Sequence, residues 1–309
     1  MKKVFIDGSA GTTGLRIHER LASRADISLM LLPEALRKDP DARRDALNTC
    51  DIAFLCLPDD AAREAVALTT DPHTVIIDTS TAHRTAQGWA YGFPEIGGRR
   101  DEIINSCRIA NPGCHASGFV ALVAPLVSSG ILAKDAMLSC FSLTGYTGGG
   151  KKMIAEYQDP QRNPLLDAPR MYGLTQAHKH LPEMAAICGM TYAPVFCPIV
   201  GDFPCGMEVS IPLTSAQCKG SLADIQEIYR NYYATGLVKY VDATELGEGG
   251  FMSAAAMAGR DDMQVTVVGN TDRMVLVARF DNLGKGASGA AIQNMNIVLG
   301  VDETTGLCV

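Results

Sequence analysis

The residues best placed to do chemistry sit in one short run, Asn111-Pro112-Gly113-Cys114-His115-Ala116-Ser117-Gly118. A turn built from Asn, Pro and Gly delivers a cysteine to the start of Ala116–Val127, a run of small and apolar residues that reads as a helix. A helix N-terminus carries partial positive charge and unpaired N–H groups, which favour a thiolate. The same N–H groups can hold the oxyanion that forms when sulfur attacks a carbonyl. The competing reading is a buried structural cysteine.

A nucleophilic cysteine needs a base that takes its proton and returns one to the substrate oxygen. Among the six histidines, His18 falls in the first helix, His73 precedes a strand, and His115 follows the cysteine on a helix where it is expected to point elsewhere. His178 and His180 flank Lys179 in a polar segment, just before Pro182, which is expected to stop the chain direction. The base is one of these two, and the residues alone do not choose between them.

A second chemical feature lies at the N-terminus. The β-rich run Lys3–Ile6 leads into Gly8-Ser9-Ala10-Gly11-Thr12-Thr13-Gly14 and then a helical pattern through Leu15, Ile17 and Leu21. Strand, glycine turn and helix in that order make a variant of the dinucleotide fingerprint, with backbone and helix N-terminus facing a pyrophosphate. After the second strand, Ile27–Leu32, come Glu34 and then Arg37 and Lys38. The acid suits a ribose hydroxyl and the cations a 2′-phosphate; the paired cations favour NADP (NADPH) over NAD.

The elements that must carry these residues alternate as an α/β chain. Asp51–Leu57 and Thr74–Asp78 read as buried parallel strands, with the helix Ala61–Leu68 between them. Asp78-Thr79-Ser80-Thr81-Ala82-His83-Arg84 is a polar loop at a strand's carboxyl end, the edge where such sheets bind ligands. Arg84 is a candidate anion contact there. Arg108–Asn111 brings the cysteine turn to the same edge. The pattern then changes. Ala136–Leu143 leads into Thr144-Gly145-Tyr146-Thr147-Gly148-Gly149-Gly150-Lys151-Lys152, a glycine-rich, lysine-tipped loop able to receive an anion but lacking P-loop spacing. Ala193–Ile199, Glu208–Pro212, Leu237–Val241 and Met274–Asp281 have strand character, with a helix at Ser221–Tyr233. Without regular βα alternation, an antiparallel or mixed sheet with helices on one face is expected. A last helix, Ala290–Leu299, closes the chain.

Composition narrows the partners. Hydrophobic residues at 47% against 20% charged describe a globular chain, and 309 residues suffice for two domains. The net charge of −7 offers no footprint for nucleic acid or an anionic membrane. No apolar run reaches the ~20 residues of a membrane span. The ten cysteines show no CxxC or metal-ligand spacing, so no metal site is expected; nine of them read as small core hydrophobes and the compartment as reducing cytoplasm.

Taken together, Gly8-Ser9-Ala10-Gly11-Thr12-Thr13-Gly14-Leu15, Asp78–Arg84, Ala110–Gly118, Ser142–Lys152, Tyr172–Met184 and Asp281–Asn296 resemble, in the same order, segments of the N-acetyl-γ-glutamyl-phosphate reductase family of arginine biosynthesis, in particular its shorter type 2 subfamily. The resemblance implies a Rossmann dinucleotide-binding domain (1–116 and 282–309) with an inserted α+β catalytic and dimerisation domain (117–281), as in aspartate-semialdehyde dehydrogenase. It implies NADPH-dependent reduction of N-acetyl-glutamyl 5-phosphate to the 5-semialdehyde and phosphate through a cysteine thioester. By position Cys114 matches the nucleophile and His180 the acid/base, with His178 beside it. Gly8–Gly14, Arg37, Lys38 and Ser80 are the expected cofactor contacts, with Asn294 or Gln293 at the nicotinamide end. Asn111, Ser142, Thr144, Lys151 and Arg84 are the expected substrate contacts. A homo-oligomer, dimer or tetramer, goes with the inserted sheet. The rivals are aspartate-semialdehyde dehydrogenase, a cysteine hydrolase or acyltransferase, and a Rossmann-type regulatory protein without chemistry.

Overall fold

A computed structural model describes residues 1–246 and 248–309. The chain divides into two compact units, one formed by Met1–Gly113 with Ala287–Cys308, the other by Cys114–Gly286 with Val309.

In the first unit, β1 (Lys2–Asp7), β2 (Ile27–Met30), β3 (Ile52–Leu55), β4 (Val75–Asp78), β5 (Ala90–Tyr91) and β6 (Arg108–Ala110) form one sheet in the order β2-β1-β3-β4-β6-β5. Every neighbouring pair is parallel. Successive side chains of a strand point to opposite faces. Thus Val4, Ile6, Ile52, Phe54 and Ile77 join one apolar cluster, while Phe5, Ala53, Leu55 and Ile76 join another. The first cluster receives Ile17 and Leu21 of α1 (Thr12–Leu21), and the second receives Ala46 and Leu47 of α2 (Pro40–Thr49) and Ala62 and Ala65 of α3 (Asp59–Leu68). The periodicity reading passed over α2. Its start is nonetheless encoded: Asp39 accepts from the N–H groups of Asp41 and Ala42, and Pro40 takes a position where no N–H is needed. A short α4 (Arg99–Ile104) adds Ile103 to the first cluster.

The second unit opens with α5 (Cys114–Ser128) and builds a seven-stranded mixed sheet. Its strands are β7 (Ser139–Gly145), β8 (Arg170–Met171), β9 (Val195–Gly201), β10 (Met207–Thr214), β11 (Val238–Tyr240), β12 (Met263–Gly269) and β13 (Arg273–Phe280). They lie in the order β11-β12-β13-β10-β7-β9-β8, with β7–β9 and β11–β12 parallel and the other pairs antiparallel. The strand at Met263–Gly269 is additional to the expected ones. Met263, Val265 and Val267 face inward, and the strand pairs with β13 as a hairpin.

Further helices are α6 (Gly150–Gln158), α7 (Leu181–Cys188) and α8 (Leu222–Tyr232). Pro182 lies in the first turn of α7, where a proline sacrifices no hydrogen bond. α5 packs on β10 and β13, and Gly118 allows it: a Cβ there would fall 2.4 Å from Val209 Cγ2.

The last helix, α9 (Gly289–Leu299), belongs to the first unit, where Ala291, Ile292 and Met295 fill the cluster around β1 and β3. Among the described residues, no helix is long and apolar enough to cross a membrane.

Candidate active site

Cys114 is the first residue of α5, a fifteen-residue helix with no acidic residue in its first turn. Its backbone end therefore presents partial positive charge that no acid of its own first turn offsets. Cys114 is half-buried. The chain Gly284–Ser288 forms a single π-helical turn, and a Cβ on Gly286 would sit 3.0 Å from Cys114 Cβ. A glycine is thus what lets this turn lie against the cysteine.

The other cysteines contrast with it. Burial pushes the Cys50 thiol up to about 12 and Cys140 higher still, which makes both poor nucleophiles. The expectation of nine core cysteines is too simple: only Cys50, Cys140 and Cys188 are fully buried, and Cys107 and Cys308 are exposed. Each of the latter two flanks an element rather than lying inside it.

The turn before Cys114 is anchored inside the first unit. Asn111 N–H donates to Asp78 O at 2.8 Å, and its Nδ2 donates to Ala287 O at 3.0 Å. Arg84 is buried, and its Nε and Nη2 donate to the carbonyls of Asn111 and Thr79 at 2.9 and 3.0 Å. This residue, expected at an anion, braces the backbone of the cysteine turn. Asn294 is buried in α9 and donates through Nδ2 to Gly92 O at 2.9 Å and Asn111 Oδ1 at 3.2 Å. Its own Oδ1 is buried without a hydrogen-bond partner. A buried amide oxygen in that condition is open to a donor from a ligand.

The sequence reading set His115 aside as a helix neighbour of the cysteine; the structure places its ring beside the histidine pair. It is buried, with Nδ1 2.6 Å from Ser142 Oγ and Nε2 2.6 Å from Tyr172 Oη. Its centroid is 5.6 Å from His178 and 5.6 Å from His180, and 5.3 Å from Phe196. Burial lowers its pKa to about 3, with the neighbouring His178 adding to the effect, so the ring is neutral at ordinary pH. Burial, with a contribution from the Cys114 sulfur, raises the Tyr172 hydroxyl and keeps it protonated. Helical spacing told where His115 starts and not what β7 and the loop after β8 bring to it.

His178 and His180 come from the loop between β8 and α7, with ring centroids 4.8 Å apart. His180 is buried at the N-cap of α7, and His178 is half-buried. His178 Nδ1 accepts from His180 N–H at 3.2 Å, so the neutral His178 ring carries its proton on Nε2. The loop is held to β9 by Gln176, whose side chain donates to Phe196 O at 2.7 Å and accepts from Phe196 N–H at 2.9 Å. Gln176 itself has φ of 55°, a costly conformation for a side chain, which the paired bonds offset.

The remaining expected contacts fall as follows. Ser142 and Thr144 are both buried on β7; Ser142 meets His115, and Thr144 Oγ1 donates to Gly145 O at 3.2 Å. Lys151 is exposed in the first turn of α6. Ser80 is buried, donating its N–H and Oγ–H to the Asp78 carboxylate at 2.9 and 2.8 Å.

At the N-terminus, Gly8 has φ of +86°, and a Cβ there would fall 2.3 Å from Cys56 O. A Cβ on Gly14 would fall 2.5 Å from Gly8 O, and Gly11 N–H donates to Gly8 O at 3.0 Å. Ser9, Ala10, Thr12 and Thr13 complete this turn and the start of α1. That helix has no side-chain cap and no acid in its first turn. A tight backbone cradle at an uncapped helix start fits a pyrophosphate. Arg37 and Lys38 stand exposed beyond β2, after a short 3₁₀ turn at Glu34–Leu36.

Comparison with known proteins agrees with this division. Residues 33–105 match the semialdehyde dehydrogenase NAD binding domain model, and residues 114–282 match the semialdehyde dehydrogenase dimerisation domain model. The chain is 46% identical to N-acetyl-gamma-glutamyl-phosphate reductase 2 of a Nostoc species, over 99% of both chains. It is also 46% identical to N-acetyl-gamma-glutamyl-phosphate reductase of Brucella ovis, over 96% of this chain and 99% of that one. Among solved structures it resembles aspartate semialdehyde dehydrogenase II of Vibrio cholerae, with a TM-score of 0.73 at 15% identity over 97% and 98% of the two chains. The Francisella tularensis aspartate semialdehyde dehydrogenase gives a TM-score of 0.72 at 14% identity over 97% and 100%. At those identities the likeness is one of fold.

Proposed function

We propose that this chain, which belongs to the N-acetyl-gamma-glutamyl-phosphate reductase family, reduces N-acetyl-glutamyl 5-phosphate to N-acetyl-glutamate 5-semialdehyde and phosphate in arginine biosynthesis. The carrying observation is Cys114 as the first residue of an acid-free helix start, with His178 and His180 clustered around the next residue's ring. Cys114 as thiolate attacks the acyl carbon, and the phosphate leaves with the electron pair of the broken C–O bond. The result is a thioester on Cys114. NADPH, when bound, supplies the hydride that reduces this thioester. Backbone N–H groups at the start of α5 stabilise the oxyanions of both steps. A histidine of the pair, His180 first, takes the thiol proton and returns a proton to the substrate oxygen. As the C–S bond breaks, the same histidine takes the proton back from that oxygen, so the carbonyl re-forms, the aldehyde leaves and the thiolate is restored.

The first unit takes the dinucleotide. The Gly8–Gly14 cradle suits the pyrophosphate and the unpaired Asn294 Oδ1 suits an amide donor. Arg37 and Lys38 support NADPH over NADH by their position beyond β2. Lys151 is a contact for the anionic substrate. The second unit supports a homo-oligomer, given its match to a dimerisation domain. Ten free cysteines suit a reducing cytoplasm.

Turnover is measured in reverse, with NADP+ and phosphate, on N-acetyl-glutamate 5-semialdehyde and aspartate semialdehyde side by side. Higher kcat/KM is expected on the acetylglutamyl compound, and no turnover with Cys114→Ala, which should still bind NADPH. Preference for the aspartate compound, or turnover by the alanine variant, sinks this reading.

A further inference from the structure

We propose that His115 is a positioning residue: tethered at both ring nitrogens by Ser142 and Tyr172, it fixes the loop carrying His178 and His180 relative to the start of α5. The inference rests on the proposed function for its reaction and deepens it.

The geometry argues against a proton-transfer role for His115 and for a structural one. Both nitrogens are within 2.6 Å of a hydroxyl, so neither is free to meet a substrate without breaking a short hydrogen bond. The ring is 3% exposed. Its partners come from separate parts of the fold. Ser142 lies on β7, where it is aligned with Val209 of β10 and Pro198 of β9. Tyr172 follows β8 and begins the segment that ends in His178 and His180. One imidazole therefore links helix start, central sheet and histidine loop.

A neutral imidazole has one donor and one acceptor nitrogen, so the chain Ser142–His115–Tyr172 runs in one direction at a time. In either direction one hydroxyl donates to the ring and the other accepts from it. The groups facing the ring are Ser142, Tyr172, His178, His180 and Phe196, with Cys114 preceding it in the helix. None is a carboxylate that would draw a proton onto it. The ring stays neutral and leaves the charge changes of catalysis to its neighbours. The loop is also pinned on its other side by Gln176 on Phe196. With His115 cut loose, that pin remains but the link to the nucleophile's helix is gone.

The test compares His115→Phe, which keeps a planar ring and removes both hydrogen bonds, with Tyr172→Phe and Ser142→Ala, which each remove one. Ser142→Thr keeps the hydroxyl. Folding is checked by circular dichroism. Three readouts are taken: kcat and KM on the acetylglutamyl semialdehyde, the pH profile of kcat, and the pH profile of Cys114 alkylation by iodoacetamide followed peptide by peptide. Expected is a fall in kcat of about tenfold or more for His115→Phe, a part of the ~10²–10⁴-fold that proton transfer contributes. KM should change little, both pH profiles should move, and Ser142→Thr should retain what Ser142→Ala loses. If the phenylalanine variant at 115 does not fold, Tyr172→Phe carries the same expectation alone. Folded variants with unchanged kcat and unmoved profiles overturn the proposal. The alkylation profile needs no substrate, so it decides on His115 even if the wild-type enzyme rejects the acetylglutamyl compound, in which case only the functional reading fails.

Discussion

Cys114 and His115 are adjacent in sequence and opposite in what the fold asks of them. The cysteine stands half-buried at a helix start, where the local field favours its anion. The histidine is buried, where the positive charge of its protonated form is penalised. That difference has a pH signature. The unfolded His115 takes a proton below its ordinary value of 6.5, whereas the folded ring refuses one until pH about 3. Stability linked to this group is thus complete above that ordinary value and is lost as pH falls towards the folded one. The slope is at most about 1.4 kcal/mol per pH unit. Denaturant unfolding of wild type and His115→Phe across pH 7 to 5, roughly the upper half of that window, should show a steeper decline for wild type. Parallel curves would remove His115 as the source.

At the scale of elements, α5 poses a problem that α8 solves. Pro125 lies inside α5 and has no N–H, so the carbonyl four residues earlier, Ala121, lacks its helical donor. Tyr233, just past α8, donates its hydroxyl to Ala121 O at 2.6 Å, and Tyr229 donates to Leu122 O at 2.6 Å. The helix that starts with Cys114 is therefore completed from another element. Replacing Tyr233 by Phe should leave a buried carbonyl unpaired and cost about 1–3 kcal/mol, read as a lowered midpoint in thermal or urea unfolding. Because Ala121 is two turns from Cys114, activity per folded molecule should hold near wild type; a large loss of kcat with unchanged stability would contradict this account. The elements with a plain apolar signal are legible in the sequence: β3 and β4 as continuous apolar runs, α3, α8 and α9 as helical ones. α2, α4 and α7 are not, since short charged or proline-bearing helices gain most of their stability from what they pack on.

Across the whole molecule, an acidic chain of net charge −7 is asked to bind an anionic dinucleotide and an anionic acyl phosphate. Global charge opposes this; the local groups proposed to supply the attraction are the starts of α1 and α5 and the cations Arg37, Lys38 and Lys151. The double variant Arg37→Ala/Lys38→Ala should weaken NADPH binding by about tenfold or more while leaving NADH binding nearly unchanged, as charged hydrogen bonds to a 2′-phosphate are lost. Fluorescence titration with the two cofactors checks it, and equal losses for both would locate these cations away from the phosphate.

The amino-acid sequence by itself determined the glycine cradle, the helix-borne cysteine, the histidine pair and the resemblance that links them. Those signals are local: a turn needs its glycines, a helix start its spacing, and motifs their order along the chain. Only the tertiary structure decided that Arg84 braces Asn111 rather than reaching outward, that Ser142 and Tyr172 clasp His115, and that Gly286 makes room for Cys114. Ser142 stands 27 positions from His115 and Tyr172 stands 57. Contacts over such separations follow from sheet register and packing, which residue types and short-range periodicity do not encode.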